Sequence, residues 1–203
     1  MKNNWVLTMT ACIGFAAAAH ANDVTIDFQN NGTGNLGVTT DTFSDNGASI
    51  VASGFSASGP VNLWVKNAGG DETGLGLAND TVDHEILPGS FIQLTLPPGP
   101  PGSTLKLVVT GSIQALEQVE VFSGPNAGVL NSTPVGSQVG GETATFTIAP
   151  GTTGFIDITS GTGNVLLDSA VVTVPNVHDG GLTIALLGGA LTALGVARRK
   201  LTL

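Results

Sequence analysis

The middle of the chain alternates apolar and polar residues in short runs separated by Gly, Ser, Asn, Asp and Pro. In Val61–Val65 the apolar residues recur at every second position, which places them on one face of an extended strand. Ten runs of this kind predict ten β-strands. They span residues 24–28, 49–53, 61–65, 91–96, 105–109, 119–122, 143–148, 155–159, 165–167 and 170–174.

The spacing of these strands predicts the fold class. No stretch between residues 22 and 181 keeps the period of an amphipathic helix for ten residues. Strands that follow one another every 8–15 residues or so, with turn residues between them, are typical of an antiparallel β-sandwich. We therefore predict an all-β, jelly-roll-like sandwich over residues 22–174, which is long enough to bury a sizeable core.

Two connections between the predicted strands have a distinctive composition. The proline-rich run at residues 97–102 cannot donate ladder hydrogen bonds, so it predicts a stiff connection. Residues 126–141 are rich in Gly, Ser, Asn and Val, and they are predicted to form the longest surface loop.

The first 21 residues are typical of a secretory signal peptide. Lys2 supplies the positive charge, residues 6–19 form the apolar centre, and Ala19-His20-Ala21 has small residues where signal peptidase cuts. Cleavage after Ala21 leaves Asn22 at the new N-terminus, so the secretion translocon and signal peptidase are expected partners. A lipoprotein signal that uses Cys12 is the alternative interpretation of the same stretch.

The opposite end of the chain contains a second apolar segment. Residues 182–197 carry no charge, and three basic residues follow at once. Such a helix is about 24 Å long, and two preceding glycines extend it toward the length of a membrane span. Because basic residues stay on the cytoplasmic side, we predict a transmembrane helix at 182–197 and a cytoplasmic tail at 198–203. A buried C-terminal core helix is the alternative.

The linker at residues 175–181 and the segments behind it carry a recognisable motif. Asp179, Gly180 and Gly181 precede the apolar run of Leu, Gly and Ala, and the basic end follows it as Arg198, Arg199 and Lys200. This tail resembles a PEP-CTERM sorting signal of the VPDSG-CTERM variant, with His178 at the position where the family pattern has proline.

The resemblance implies a processing enzyme as a partner of the chain. Proteins with such tails are recognised by exosortase, a membrane-embedded cysteine protease–transpeptidase that removes the helix. The resemblance therefore also implies an exported protein. Such a protein is first anchored in the inner membrane as a precursor and is then found at the cell surface or outside the cell.

Charge is distributed unevenly along the chain. Residues 22–181 contain all fifteen Asp and Glu residues but only two basic ones, Lys66 and Lys106, which gives a formal charge of −13. Such a body repels nucleic-acid phosphates, which excludes nucleic-acid binding as a function class. Cys12 is the only cysteine, so the exported body has neither a disulfide nor a catalytic cysteine.

Five carboxylates lie close together in the sequence and form a candidate calcium site. Calcium takes about six to eight oxygen ligands, which loops rich in Asp and Gly supply. The spacing matches neither an EF-hand nor a calcium-binding nonapeptide repeat, so the alternative is a solvated loop at residues 69–85 with Asx turns. The five residues are Asp71, Glu72, Asp80, Asp83 and Glu85.

Two aromatic residues are further candidates. Trp64 is a candidate platform for stacking sugar rings, and a core or edge tryptophan is the alternative interpretation. His84 is the only histidine in the predicted sandwich, and no nucleophile or metal-ligand spacing accompanies it. The sequence therefore indicates no enzyme and no resident cofactor other than the candidate calcium.

Three function classes remain open at this point. The first is a non-enzymatic envelope or extracellular-matrix protein. The second is a carbohydrate-binding or adhesive module whose partner is an exopolysaccharide, with calcium as a candidate ligand. The third is an envelope hydrolase with paired carboxylates, and the scarcity of nucleophile–base pairs argues against it.

Overall fold

The computed structural model describes residues 21–68, 72–95, 104–110, 113, 115–141, 143–148 and 154–175. Within these residues the chain is all-β, and its sheets consist of antiparallel strands. The only helical element described is a short 3₁₀ helix at Phe28–Asn31. The strands are β1 (Ala21–Asp27), β2 (Gly34–Asn35), β3 (Thr40–Asp45), β4 (Ala48–Ser56), β5 (Gly59–Val61), β6 (Leu63–Asn67), β7 (Thr73–Leu77), β8 (Phe91–Thr95), β9 (Thr104–Thr110), β10 (Gln118–Gly124), β11 (Thr133–Val139), β12 (Thr143–Thr147), β13 (Phe155–Thr162) and β14 (Ser169–Pro175).

The described strands form three sheets. The four-stranded sheet has the order β1-β14-β9-β12, and the seven-stranded sheet has the order β11-β10-β13-β8-β4-β3 with β5 added beside β4. The third sheet is small and has the order β2-β6-β7. Ile26, Ile50 and Leu63 come from the three sheets in turn, and all three belong to one hydrophobic core. Removing this apolar surface from water favours a β-sandwich-like arrangement of the sheets around that core.

Strand β4 shows why alternation predicts an element. Ala48, Ile50 and Ala52 are buried in the core, while Ser49 and Val51 on the opposite face are partly exposed. One buried face and one wetter face is the pattern expected of an antiparallel strand at the surface of a core.

Strands β8 and β13 depart from this alternation because both of their faces are buried. Ile92 and Leu94 of β8 point to the core, yet Gln93 between them is also buried. The cover on that outer face is the 125–132 loop, which connects β10 and β11 and contacts Gln93 and Asp157.

Several strand predictions were wrong in detail. Residues 133–139 belong to β11 and not to a surface loop, and residues 73–77 belong to β7 and not to a solvated acidic loop. Residues 165–167 form isolated bridges to Ile86 and Leu75 and are not a strand. β11 and β7 are strands because each pairs with the preceding strand of a hairpin, and residues 165–167 are held by bridges to segments distant in the sequence. Local alternation encodes neither kind of pairing.

Residues Ala21–Pro175 form one compact unit. Its first and last strands pair over their whole length, from Ala21 opposite Pro175 to Asp27 opposite Ser169. The part of the chain that the structure describes contains no helix long and apolar enough to cross a bilayer. The predicted helix at 182–197, the tail behind it, residues 1–20 of the predicted signal peptide and the connection at 97–102 lie outside the described residues.

Candidate functional site

The candidate residues meet on the outer face of the small sheet. Trp64 and Lys66 alternate along β6 with the core residues Leu63 and Val65, so they point away from the core. Their partners on β7 are glycines, because Trp64 lies opposite Gly76 in the register. This leaves a shallow surface on β7 beside two large side chains on β6.

The 78–90 segment, which connects β7 to β8, crosses this glycine surface. A Cβ atom at Gly76 would overlap the backbone carbonyl oxygen of His84, so no larger residue fits there without moving the segment. The same segment is fixed to the body at Ile86, which exchanges backbone hydrogen bonds with Val165 at 2.8 and 3.2 Å. The glycines of β7 are therefore a packing requirement, which explains a strand that the sequence pattern did not predict.

His84 stacks on Trp64. The two ring centroids are 3.5 Å apart and the ring planes differ by 19°. His84 has a left-handed backbone with φ of 60°, which costs a non-glycine residue about 1 kcal/mol. Its Nδ1 atom is buried without a hydrogen-bond partner in the described part of the chain. The stack holds the segment in a conformation that its backbone does not favour.

Lys66 joins two of the predicted carboxylates. Its Nζ atom lies 2.7 Å from Oε1 of Glu85 and 2.8 Å from Oε2 of Glu72. Burial alone would lower the pKa of Lys66, but its hydrogen bonds to Glu72 and Glu85 and their charges outweigh burial and raise the pKa. The amine therefore stays protonated at neutral pH, which suits an ion pair and not a nucleophile.

Asp80 organises the turn that leads to this ion pair. Its Oδ1 accepts a hydrogen bond from the backbone N–H of Val82 at 3.1 Å, and its Oδ2 accepts one from the backbone N–H of Glu85 at 3.2 Å. Asp80 and Glu85 are both buried. The Asx turn predicted for this stretch is present, but the stretch is not simply solvated.

The predicted calcium ligands are thus only partly brought together. Glu72 and Glu85 meet at Lys66, Asp80 binds backbone N–H groups, Asp83 is exposed, and Asp71 lies outside the described residues. Among the residues described, no group of three or more His, Cys, Asp or Glu side chains has a geometry that suits a metal ion. Calcium binding stays a prediction.

Trp64 as a sugar-stacking platform also stays a prediction. One face of the indole is taken by the imidazole of His84, and the residue is only partly exposed. A sugar ring would therefore have to use the other face of the indole or displace the histidine.

A second polar cluster, absent from the sequence predictions, lies under the 125–132 loop. The fully buried Asp157 accepts one hydrogen bond on Oδ1 from Gln93 Nε2 at 2.8 Å. Its Oδ2 accepts two from Asn131, from the backbone N–H at 2.7 Å and from Nδ2 at 2.8 Å. Burial raises the pKa of Asp157, and these three hydrogen bonds oppose that rise.

Gln93 extends this cluster into the loop. Its Oε1 accepts a hydrogen bond from the N–H of Gly128 at 2.8 Å, while its Nε2 donates to the carbonyl of Asn126 at 3.1 Å. Together with Asn131, it ties the loop to strands β8 and β13. The available sequence signal was a polar residue inside each of two apolar strands, Phe91-Ile-Gln-Leu and Phe155-Ile-Asp-Ile.

The predicted processing residues are mostly outside the described part of the chain. This holds for the sorting-motif residues His178, Asp179, Gly180 and Gly181 and for the basic cluster Arg198, Arg199 and Lys200. Ala21 and Asn22, which flank the predicted signal cleavage site, are the first two residues of β1. Comparisons with protein-family models, with curated proteins and with solved structures found no match to this chain.

Proposed function

We propose that this chain is an exported surface protein that is sorted through its C-terminal tail and has no catalytic activity of its own. In this proposal the body at residues 22–174 is a jelly-roll-like β-sandwich outside the cytoplasm. The helix at 182–197 anchors the precursor in the inner membrane until exosortase acts at the motif within 175–181. The mature protein then belongs to the cell envelope or the extracellular matrix.

The pairing of the first and last strands carries this proposal. Ala21 lies opposite Pro175 in an antiparallel ladder, where paired Cα atoms are about 4.5–5.5 Å apart. Both flanks therefore leave the body at one end of the four-stranded sheet. This supports a body that a signal peptide and a membrane helix can hold from the same side, and processing of either flank leaves the β1–β14 ladder nearly complete.

Sheet order supports the jelly-roll-like topology. From β8 to β14 the chain passes repeatedly between the seven-stranded and the four-stranded sheets, and only the β10–β11 hairpin stays within one sheet. Crossing between two sheets with antiparallel neighbours is typical of Greek-key and jelly-roll sandwiches.

The contacts of the charged groups support a structural role. Of the two lysines in the body, Lys66 is held by Glu72 and Glu85. The buried carboxylate of Asp157 is used to fix a loop. These side chains stabilise the body, while its large acidic excess keeps it soluble outside the cell.

The experiment that tests the proposal compares host cells with and without exosortase. We expect the mature protein from exosortase-containing cells to have a C-terminus near the motif, and the protein from the other cells to keep its tail in the membrane fraction. Intact-mass spectrometry of the purified protein and fractionation of the cells measure both. An intact tail in both strains would indicate a simple anchor, and a cytosolic protein with both ends intact would refute export.

Two variants sharpen this experiment. His178→Pro restores the residue of the family pattern and is expected to increase the processed fraction. Replacing Arg198, Arg199 and Lys200 with Gln removes the charges that orient the helix and is expected to decrease it. Unchanged processing in both variants would show that these residues of the tail do not act as a sorting signal.

A further inference from the structure

Two edge strands of the seven-stranded sheet, β3 and β11, differ in how they are protected. Edge strands present unpaired backbone groups that can pair with another chain, and proteins usually block them with charges, prolines or bulges. β3 carries Asp41 and Asp45. Asn31 also covers it, because its Nδ2 donates to Asp41 Oδ2 at 2.8 Å and to the Thr42 carbonyl at 3.1 Å.

The β11 edge has a proline and a register shift in its first half, but it lacks charged residues. Residues 121–141 contain no charged residue and no histidine, although the body around them is strongly acidic. In the described part of the chain β11 pairs only with β10. Pro134 and a register shift at Val135, which is skipped between Gly136 opposite Val121 and Pro134 opposite Phe122, interrupt the first half of the strand. This leaves residues 136–139 as regular edge strand.

Exposed apolar side chains flank this edge. Val139 at the end of β11 is 61% exposed, and Leu116, in the turn before β10, is 84% exposed. Gln118 lies opposite Val139 in the register, so the two apolar side chains are near the same end of the hairpin. Large exposed apolar residues beside an open edge indicate an interaction surface.

We propose that β11 pairs with β11 of a second copy of this chain, antiparallel and about a two-fold axis, so that the seven-stranded sheet continues across the dimer. A two-fold interface must be complementary to itself, and an uncharged edge meets this condition. The β3 edge does not, because its aspartates would face like charges in a second copy.

Charge favours a second copy as the partner at this edge. Two bodies, each with 14 acidic and two basic residues between positions 22 and 174 and therefore a formal charge of −12, repel one another. They can approach most closely where neither carries charge. Within the β10–β11 ladder the only carboxylate is Glu120 of β10, opposite Ser137. In the dimer the two β10 strands are three strand spacings apart, about 14 Å, which exceeds the Debye length of about 8 Å at physiological salt.

Cysteine cross-linking of the full-length chain tests the pairing. Cys12 is first replaced by Ser, which leaves no cysteine. Ser137→Cys then places an exposed thiol on β11, and Ser44→Cys places an exposed thiol on β3 as the matched control. Both variants keep the same flanks, so any association through the flanks affects them equally. We expect oxidation to give a disulfide-linked dimer for Ser137→Cys, with at least about fivefold less for Ser44→Cys.

A second substitution tests the role of charge. Adding Val139→Glu to Ser137→Cys introduces a carboxylate on each copy at the shared edge, and we expect the dimer yield to fall about tenfold at low salt. Raising the salt concentration should increase the dimer yield of Ser137→Cys and restore part of the yield that Val139→Glu removes. Thermal unfolding of each variant confirms that the exposed substitutions leave the fold intact.

Three results would overturn the proposal. The first is equal cross-linking at Ser137 and Ser44, or none at either. The second is a dimer that Val139→Glu does not weaken in a folded protein. The third is capture of Ser137→Cys by a different macromolecule, seen as an adduct of another mass, in place of a second copy.

Discussion

Two segments of this chain cross the outer face of a sheet, and a buried carboxylate at each of them can be compared, Glu85 at one and Asp157 at the other. The 78–90 segment crosses β6 and β7 and buries Glu85, while the 125–132 loop crosses β8 and β13 and covers Asp157. The partner of Glu85 is a lysine at 2.7 Å. The three hydrogen bonds of Asp157 come only from amide groups. The two buried charges are therefore stabilised by different means.

The pKa values express this difference. Lys66 has a raised pKa because two carboxylates outweigh its burial, so its charged form is favoured in the folded protein. Asp157 has a raised pKa because burial outweighs its hydrogen bonds, so its charged form is disfavoured. A body with only two lysines has few cations for its buried carboxylates. Amide donors fix geometry, but they compensate a buried charge less completely than a cation does.

The largest expected effect comes from disturbing the packing of the 78–90 segment on β7. Gly76→Ala would bring a methyl group into the His84 carbonyl, and we expect a loss of unfolding free energy of about 3 kcal/mol or more. Chemical denaturation measures it. Gly89→Ala, in the 78–90 segment itself, is the control, because Gly89 has φ of 83° but open space around it. For this variant we expect only about 1 kcal/mol of backbone strain. Equal losses for the two variants would contradict the packing role of Gly76.

Asp157→Asn is expected to act on the other loop alone. The new amide cannot accept from Gln93 and Asn131 together, so one donor faces another donor, and a loss of about 2 kcal/mol is expected. Hydrogen exchange should accelerate at the N–H groups of Gly128 and Asn131, which the cluster holds. Unchanged exchange there, with a normal unfolding free energy, would mean that the cluster does not fix the loop.

The two carboxylates that contact Lys66 are expected to contribute unequally to stability. The Glu85 side chain is 5% exposed and that of Glu72 is 45% exposed, although both contact Lys66. We expect Glu85→Gln to lower the unfolding free energy by about 1.5 kcal/mol and Glu72→Gln by about 0.5 kcal/mol or less. The comparison is made by urea denaturation at two salt concentrations, and a larger effect for Glu72 would reverse our interpretation.

The pH dependence of stability should distinguish the contribution of Lys66 from that of Asp157. The stability from Lys66 is present below its ordinary pKa of 10.5 and is lost as the pH rises through its higher folded pKa. From about pH 6 upward, where the carboxylates are ionised, the gap in unfolding free energy between the parent and Lys66→Met should therefore narrow only as the pH rises above 10.5. Asp157 has the same sign in an acidic window, since its folded pKa is also raised and its contribution falls as the pH rises from 3.8 through that folded pKa. Denaturation curves from about pH 6 to 11 measure the Lys66→Met gap, and curves from about pH 3 to 7 measure the gap between the parent and Asp157→Asn. A Lys66→Met gap that already narrows between about pH 6 and 9, where the carboxylates are ionised, would contradict the assignment.

The last expected effect concerns the stacked pair of His84 and Trp64. His84→Ala removes the stack but keeps a left-handed residue, whereas His84→Gly removes the stack and relieves the backbone. The glycine variant should be the more stable by about 1 kcal/mol. In both variants the fluorescence of Trp64 should shift to the red as one face of its indole is exposed. An alanine variant as stable as the glycine variant would show that the backbone is not strained at this position.

Much of the fold follows from local pattern, and the exceptions have a common cause. Val61–Val65 could be predicted because one of its faces packs on the core, which imposes alternation. Strand β7 has Gly76 where the 78–90 segment packs on it and Gly74 where the backbone of Leu167 packs on it, so its sequence reflects contacts and not a strand preference. Strand β11 contains Pro134 and Gly136, and only pairing with β10 makes it a strand.

The candidate sites were predictable to a lesser extent. The five carboxylates are close in sequence, but which of them meet depends on Lys66, a residue from another strand. Gln93 and Asp157 are 64 positions apart and become neighbours only through the order of β8 and β13. Sequence spacing gives the composition of such clusters, whereas strand order decides their geometry.

The Ala21–Pro175 pairing also determines how the body responds to force. A load applied between the two ends of the body acts at the open end of the β1–β14 ladder. It would therefore separate the ladder one hydrogen bond at a time, as a zip opens, and would not shear all of the bonds together. The body is therefore mechanically weak when it is pulled by both flanks at once. A body that is anchored through one flank only does not experience this load.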